Sequence, residues 1–296
     1  MTELIVVTPT YNRKELIERL YKNLLNQSSY NFKWLIIDDG STDGTEAYVQ
    51  EIIESNQIVI EYHYKTNGGK GKALNYAFEL VENDTFLLIV DSDDTLLYDG
   101  VNKVKKSVEE FAKENIGAIF FLYEFTDGKK ILGSKKELNT TIVSNRYEYN
   151  NLYGQHDGCI GYYSHVVKKY KYPEFDNETY IGPTVIQLAM SQEFNIVFTP
   201  QVIGVAEYQP NGLTKKGRKL RINNPKGMVY YAELQMSSKN KFLVRLKYAI
   251  SVWAYLQLGE LSVAKPIQLF PNKKLALLSY LPGMVLSKRW KQIKNS

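Results

Sequence analysis

Cysteine is nearly missing from this chain: its 296 residues hold one, Cys159, beside three histidines. A lone thiol closes no intramolecular disulfide, and without a second cysteine there is no Cys/His framework for structural zinc. A reducing compartment is expected. Long apolar runs are missing as well, none approaching the ~20 residues of a membrane-spanning helix. The opening stretch MTELIVVTPTYNRKE has no basic segment leading into an apolar core and a small-residue cleavage site, so no secretory leader is expected. Repeats and low-complexity tracts are lacking, and 44% hydrophobic with 23% charged residues is a folded composition. The length suits one large domain or two modest ones.

Acid is scarce in one place only. Residues 1–212 carry 20 Lys and Arg against 30 Asp and Glu, whereas residues 213–296 carry 17 against 2. The net charge of +5 conceals this split. It predicts two regions, the second facing something anionic.

The first 115 residues alternate short β-branched runs with helical patterns. ELIVVTPTYN, FKWLIIDDG, IVIEYHY and TFLLIVDSDD read as strands. RKELIERLYKNLLNQ, STDGTEAYVQEIIES, the stretch after the Gly-rich loop, and DGVNKVKKSVEEFAKEN read as helices. Continuous apolar strands predict a parallel α/β sheet covered on both faces, and such sheets bind ligands beyond the carboxyl ends of their strands. Each polar cluster of this region follows a strand: TPTYNR, DDGSTD, NGGKGKALN and DSDD. From 116 to 205, GAIFFLYEF and FNIVFTPQVIGVAEY read as further strands and PTVIQLAMSQE as a helix; beyond 225 the chain reads as helical.

Three carboxylates within four positions, Asp91, Asp93 and Asp94, repel one another unless compensated. A hard divalent cation compensates them, and so does a solvated turn; both readings stand at this point. DDGSTDGT is equally a turn or an acceptor for a base or ribose. NGGKGKALN offers backbone N–H groups, Lys70 and Lys72 before a helix N-terminus, which suits a phosphate. It fits neither the Walker pattern nor G-x-G-x-x-G.

Taken together, the order and spacing of these clusters resemble the inverting, metal-dependent family 2 nucleotide-sugar glycosyltransferases of bacterial cell-surface polysaccharide synthesis. The resemblance is dense over residues 1–120, weaker to about 215 and vague beyond. It implies an α/β GT-A fold, Rossmann-like with a mostly parallel central sheet flanked by helices, carrying a C-terminal helical extension. The implied division is a catalytic domain over 1–212, with a nucleotide-binding half (1–115) and an acceptor-side half (116–212), and a basic helical region over 213–296.

By the same resemblance, Thr8, Pro9, Thr10, Tyr11 and Arg13 line the donor pocket, and Tyr11 is available to stack on the base. Asp39 meets the base, with Asp38 left to support the loop. Asn67, Gly69, Lys70, Gly71 and Lys72 face the phosphates. Asp91 and Ser92 stand at the nucleotide, Asp93 ligates Mn²⁺ or Mg²⁺ with Asp91 as an alternative, and Asp94, His156 and Asp157 lie toward the sugar or acceptor. A loop histidine packed in the interior is the alternative for His156. The general base is placed at Glu178, with Asp176 as runner-up; the family's Glu-Asp pair is not found in YPEFDNETYIGPTVIQLA. Where relatives carry a metal-binding histidine, this chain has EYQPNGLTKKGR, so Tyr208 or Gln209 only lines the site. Implied partners are a nucleotide-sugar donor and a saccharide or lipid-linked acceptor, with peripheral membrane contact through 213–296 at the cytoplasmic face; a homodimer stays open. No nucleic-acid partner is expected. A sugar-phosphate nucleotidyltransferase predicts an early glycine that TPTYNR lacks, and a non-catalytic anion-binding module leaves DSDD unexplained.

Overall fold

A computed structural model describes residues 2–125, 136–154, 156–207 and 213–295. The expected alternation is present. In chain order it runs β1 (Glu3–Thr10), α1 (Lys14–Leu25), β2 (Lys33–Asp38), α2 (Thr45–Glu54), β3 (Val59–Tyr64), α3 (Lys70–Leu80), β4 (Thr85–Ile89), β5 (Thr95–Leu96) and α4 (Gly100–Phe111). Spacing explains α1: Ile17, Leu20, Tyr21 and Leu24 repeat at helical period and are the residues it buries. β1, β2 and β4 read as unbroken apolar runs because both faces are covered, with Val6, Ile36 and Leu88 wholly buried.

β3, β2, β1 and β4 lie side by side and parallel. Register matters more here than strand count. Thr10 pairs with Asp38 and Asp38 with Tyr64, so three strands finish level and release their loops from one rim. On the other flank of β1, the Val90 N–H donates to the Val7 carbonyl at 3.0 Å, which brings Asp91 out along the same rim.

The second half of the sheet is mixed rather than parallel. β6 (Ile116–Glu124), β7 (Ile142–Ser144), α5 (Arg146–Leu152), β8 (Gly158–Tyr163), α6 (Ser164–Val167), α7 (Val185–Met190) and β9 (Asn195–Val205) follow. β8 inserts between β4 and β6, antiparallel to both, while β6 and β9 run parallel. The sequence reading misses β8 because GCIGYY carries two glycines, which depress strand propensity. Packing asks for one of them: a Cβ on Gly161 would stand 2.1 Å from the Phe86 ring.

The chain divides into two compact units. The first holds residues 1–171 and 190–209, including the whole sheet; the second holds 172–189 and everything from 210 onward. The expected boundary at 212 therefore leaves out 172–189, which joins the helical region. Its bonding gives the reason: the Asn224 side-chain oxygen accepts the N–H groups of Thr179 and Tyr180, both at 3.0 Å. The helices of that unit are α7 except for its last residue, α8 (Leu213–Ile222), α9 (Pro225–Gln235), α10 (Phe242–Leu258) and α11 (Lys273–Asn295), with a 3₁₀ turn at Pro266–Leu269. No helix of the described residues is long and apolar enough to cross a membrane.

Candidate active site

The loops leaving β1 and β2 brace each other. The Asn12 N–H donates to Ser41 Oγ at 2.8 Å, Asn12 Oδ1 accepts the Thr42 N–H at 2.7 Å, and the Lys14 N–H donates to Asp43 at 2.9 Å. Asn12 adopts a positive φ of 50°, a conformation asparagine tolerates better than most residues. Between these braces Tyr11 stays half exposed, available to a planar ligand. Pro9 is buried. Thr8 is turned inward, its hydroxyl accepting the Trp34 indole N–H at 2.9 Å, so any donor contact from Thr8 has to come from its main chain. Thr10 differs: its hydroxyl is buried and has no hydrogen-bond partner among the described residues.

Asp39 is the hub of the base-side region. Its backbone N–H donates to the Thr10 carbonyl at 2.8 Å. Its carboxylate accepts from Lys65 Nζ at 2.6 Å, from the Gly68 N–H at 2.9 Å and from the Gly69 N–H at 2.6 Å. The Asn67 side-chain amide donates to the Asp39 carbonyl at 2.8 Å. The Gly-rich loop is thus folded onto the acid that ends β2, and a base or ribose reaching Asp39 competes with Lys65 and two backbone amides. Asp38 supports the loop: it is wholly buried, accepts the Ser41 N–H at 2.7 Å and the Tyr62 hydroxyl at 2.8 Å. Burial first, then that bond to Asp38, raises the Tyr62 phenol above its ordinary range.

Gly69 precedes α3, whose first turn carries Lys70, Gly71 and Lys72. The Lys70 ammonium donates to both carboxylate oxygens of Asp91, at 2.5 and 2.6 Å. Loss of water works against its charge, but Asp91, with Asp94 and Asp93 behind it, overcomes this and raises the Lys70 pKa. Arg13 grips the other side of the acidic turn, donating to Ser92 Oγ at 3.0 Å and pairing with Asp93 Oδ1 at 3.1 Å. Arg19 of α1 donates to the Asp93 carbonyl at 2.5 Å and pairs with Glu207 just beyond β9.

Asp94 is left with the surplus charge. Removal from water and the charges of Asp91 and Asp93 push its carboxyl up to about 8, against the pull of Lys70 and Arg19. Burial first, then its two neighbours, keeps the Asp94 carboxyl protonated near neutral pH, while Asp91 and Asp93 offer hard oxygen donors of the right chemistry for Mg²⁺ or Mn²⁺. Among the described residues no group of three or more His, Cys, Asp or Glu side chains is already arranged around a metal position. Lys70 and Arg13 occupy the partners a divalent ion would take.

A stability signature follows. In chelator, folded Asp94 keeps a proton that the unfolded chain releases, so folding takes up a proton between the ordinary aspartate value of 3.8 and about 8. The contribution is fully present below that window and is lost as pH rises through it. Thermal denaturation of the wild type should fall relative to Asp94→Asn between about pH 4 and pH 8. Identical profiles for the two proteins would contradict the crowding of charge at this turn.

His156 is committed to the interior. It is 3% exposed, its Nδ1 shares a 2.7 Å hydrogen bond with the Tyr149 hydroxyl, and burial followed by the Arg146 charge lowers its pKa, so the ring is neutral at pH 7. Its Nε2 is buried and has no hydrogen-bond partner among the described residues, and the neighbouring Asp157 is exposed. Tyr208 and Gln209 lie outside the described residues.

Within the second unit, both carboxylate oxygens of Glu178 are held by the start of α9, Oε1 accepting the Lys226 N–H at 2.7 Å and Oε2 the Gly227 N–H at 2.8 Å. The acid caps a helix 48 residues away in sequence, which fixes its orientation. Asp176 is exposed, and its carbonyl accepts from Lys226 Nζ at 3.4 Å.

Three contributors escape the sequence reading. Lys65 is the first residue after β3, and applying the strand-end rule to β3 finds it. Arg19 and Glu207 carry no local signal, since each acts through a partner distant in sequence.

The family model for glycosyl transferase family 2 matches residues 5–171. UDP-Glc:alpha-D-GlcNAc-diphosphoundecaprenol beta-1,3-glucosyltransferase WfgD of Escherichia coli is 28% identical over 149 residues, 50% of this chain and 53% of that protein. The chain thus matches about half the length of this curated relative. TarS 1–349 of S. aureus, solved with UDP-GlcNAc, superposes with a TM-score of 0.67 at 15% identity, covering 98% of this chain and 92% of that one. Mannosyltransferase PcManGT of Pyrobaculum calidifontis, solved with GDP-Man and Mn²⁺, gives 0.58 at 16% identity, covering 99% and 88%. At such identities these structures speak for the fold alone, which is the GT-A fold with C-terminal helices. A family match spanning more than half the sequence, on the parallel sheet whose rim gathers the four polar loops, places this chain in glycosyltransferase family 2.

Proposed function

We propose that the protein transfers a sugar, with inversion, from a UDP- or dTDP-linked donor to a saccharide or lipid-linked saccharide acceptor in cell-surface polysaccharide synthesis, using Mn²⁺ or Mg²⁺. One observation carries the reading: the loops after β1, β2, β3 and β4 interlock at a single rim through Asp39, Lys70–Asp91 and Arg13–Asp93. That arrangement offers acceptors to a base, cations to a diphosphate and carboxylates to a divalent ion within one surface.

In this reading Tyr11 stacks on the base, and Asp39 accepts from it once the Gly-rich loop yields. The Gly68 and Gly69 amides, freed from Asp39, turn to the phosphates with Lys70 and Lys72 at the start of α3. Asp93, with Asp91, would hold the metal, whose chemistry is to neutralise charge growing on the departing diphosphate. Lys70 and Arg13, exchanged from Asp91 and Asp93 when the metal binds, would add positive charge beside the diphosphate oxygens. Asp157 meets a hydroxyl of the donor sugar or acceptor. Glu178 takes the proton of the acceptor hydroxyl, its carboxylate oriented beforehand by α9. The relative WfgD carries a diphosphoundecaprenol acceptor in its name, which supports a lipid-linked acceptor for this chain.

Thermal denaturation with UDP, dTDP and GDP, each with and without Mn²⁺, tests this. UDP or dTDP with Mn²⁺ should stabilise the protein by about 2.7 kcal/mol at a hundredfold excess over Kd, and the nucleotide alone by clearly less. Failure of all three nucleotides to give metal-dependent stabilisation would refute the proposal.

A further inference from the structure

α11 has two apolar faces, and the fold uses one of them. Leu275, Ala276 and Ser279 are at most 3% exposed, and the Trp253 indole of α10 donates to the Ala276 carbonyl at 3.0 Å. Gly283 allows the close approach, since a Cβ there would stand 2.4 Å from the Trp253 Cβ and 3.0 Å from the Ile250 carbonyl oxygen. On the other side, Leu277, Leu281 and Val285 are 71%, 71% and 70% exposed, with Leu278 at 52%. At about 100° per residue these four fall within roughly one-third of the circumference, half a turn from the buried row. Isolated exposed leucines need no explanation, but a continuous stripe of them does.

Charge says what covers the stripe. Lys273 and Lys274 precede it, Lys288 and Arg289 follow it, and α11 contains no Asp or Glu. A second copy pairing through this face would set cations against cations. An anionic lipid surface complements the stripe and both of its ends, with acyl chains for the leucines and headgroup phosphates for the lysines. We propose that α11 is a membrane-surface helix that lies in the headgroup layer of an anionic bilayer, immersing Leu277, Leu278, Leu281 and Val285 between two cationic ends. It rests on the bilayer without crossing it, as its hydropathy requires.

The test needs neither sugar donor nor acceptor, so its outcome is separate from that of the transfer reaction. The full chain is floated with vesicles of equal parts phosphatidylglycerol and phosphatidylcholine, and with phosphatidylcholine alone. The wild type should float with the anionic vesicles and far less with the neutral ones. Leu277→Gln/Leu281→Gln/Val285→Gln should lower partitioning about a hundredfold or more while leaving the denaturation temperature unchanged, because all three side chains are exposed. Lys288→Gln/Arg289→Gln should weaken binding and flatten its salt dependence. Wild-type protein that stays with neither vesicle, or a triple variant that floats as well as wild type, overturns the proposal. So does sedimentation velocity showing a wild-type dimer that the triple variant dissociates, which would make the stripe a self-association face.

Discussion

Asp93→Asn should lower donor turnover by at least about a thousandfold, read as release of nucleoside diphosphate at saturating Mn²⁺. The magnitude reflects what the side chain does: it is the acid that the resemblance assigns to the metal, and the substitution removes its charge while keeping its size. Structure makes the comparison clean. The Asp93 backbone carbonyl still accepts from Arg19, Ser92 from Arg13 and Asp91 from Lys70, so the turn stays anchored and only the 3.1 Å pair with Arg13 is lost. Mn²⁺-dependent stabilisation by nucleotide should vanish together with turnover, whereas the metal-free protein stays folded. Asp91→Asn should be milder in metal binding but should release Lys70, which donates to both oxygens of that carboxylate. A turnover for Asp93→Asn within tenfold of wild type would remove Asp93 from the metal position.

The second large effect is at Glu178. Glu178→Gln should reduce transfer about a thousandfold, within the range for loss of a general base, and leave the affinity for nucleotide with Mn²⁺ unchanged. A structural cost accompanies it. Gln offers one acceptor oxygen where two backbone N–H groups now find two, so stability should fall by about 1–2 kcal/mol. Denaturation curves fix an assay temperature at which the variant is fully folded, which separates capping from proton transfer. Asp176→Asn should keep most of the activity. If Asp176→Asn is the inactive protein and Glu178→Gln transfers normally, the two acids exchange roles, and Glu178 is a helix cap alone.

Much of the parallel half of the sheet and its rim was legible in the sequence because its signals are local. An apolar run ending in Asp91 can be read without knowing what lies beside it, and so can DDG after β2 and the Gly-rich turn before α3. What stayed hidden depends on pairing between distant segments. β8 is hidden by its two glycines, yet it is the strand that joins the parallel half of the sheet to the mixed half. No local signal announces that Trp34 bonds the Thr8 hydroxyl or that Tyr149 bonds His156 Nδ1. Glu178 sits in a stretch whose backbone is organised by Asn224 and α9, so neither its orientation nor its unit was readable from its neighbours. Asp39 shows the remaining gap: its position was readable, but its loop contacts with Lys65, Gly68 and Gly69 were not.

The buried thiol has a practical consequence. Cys159 is 2% exposed, its Sγ donates to the Ile89 carbonyl at 3.0 Å, and burial drives its pKa far up, so no thiolate forms near neutral pH. Maleimide and nitroxide reagents, which need a thiolate, will therefore pass the native chain by. A cysteine introduced anywhere on the surface becomes a single addressable label without first stripping the background, and one walked residue by residue along α11 would report immersion depth by paramagnetic quenching.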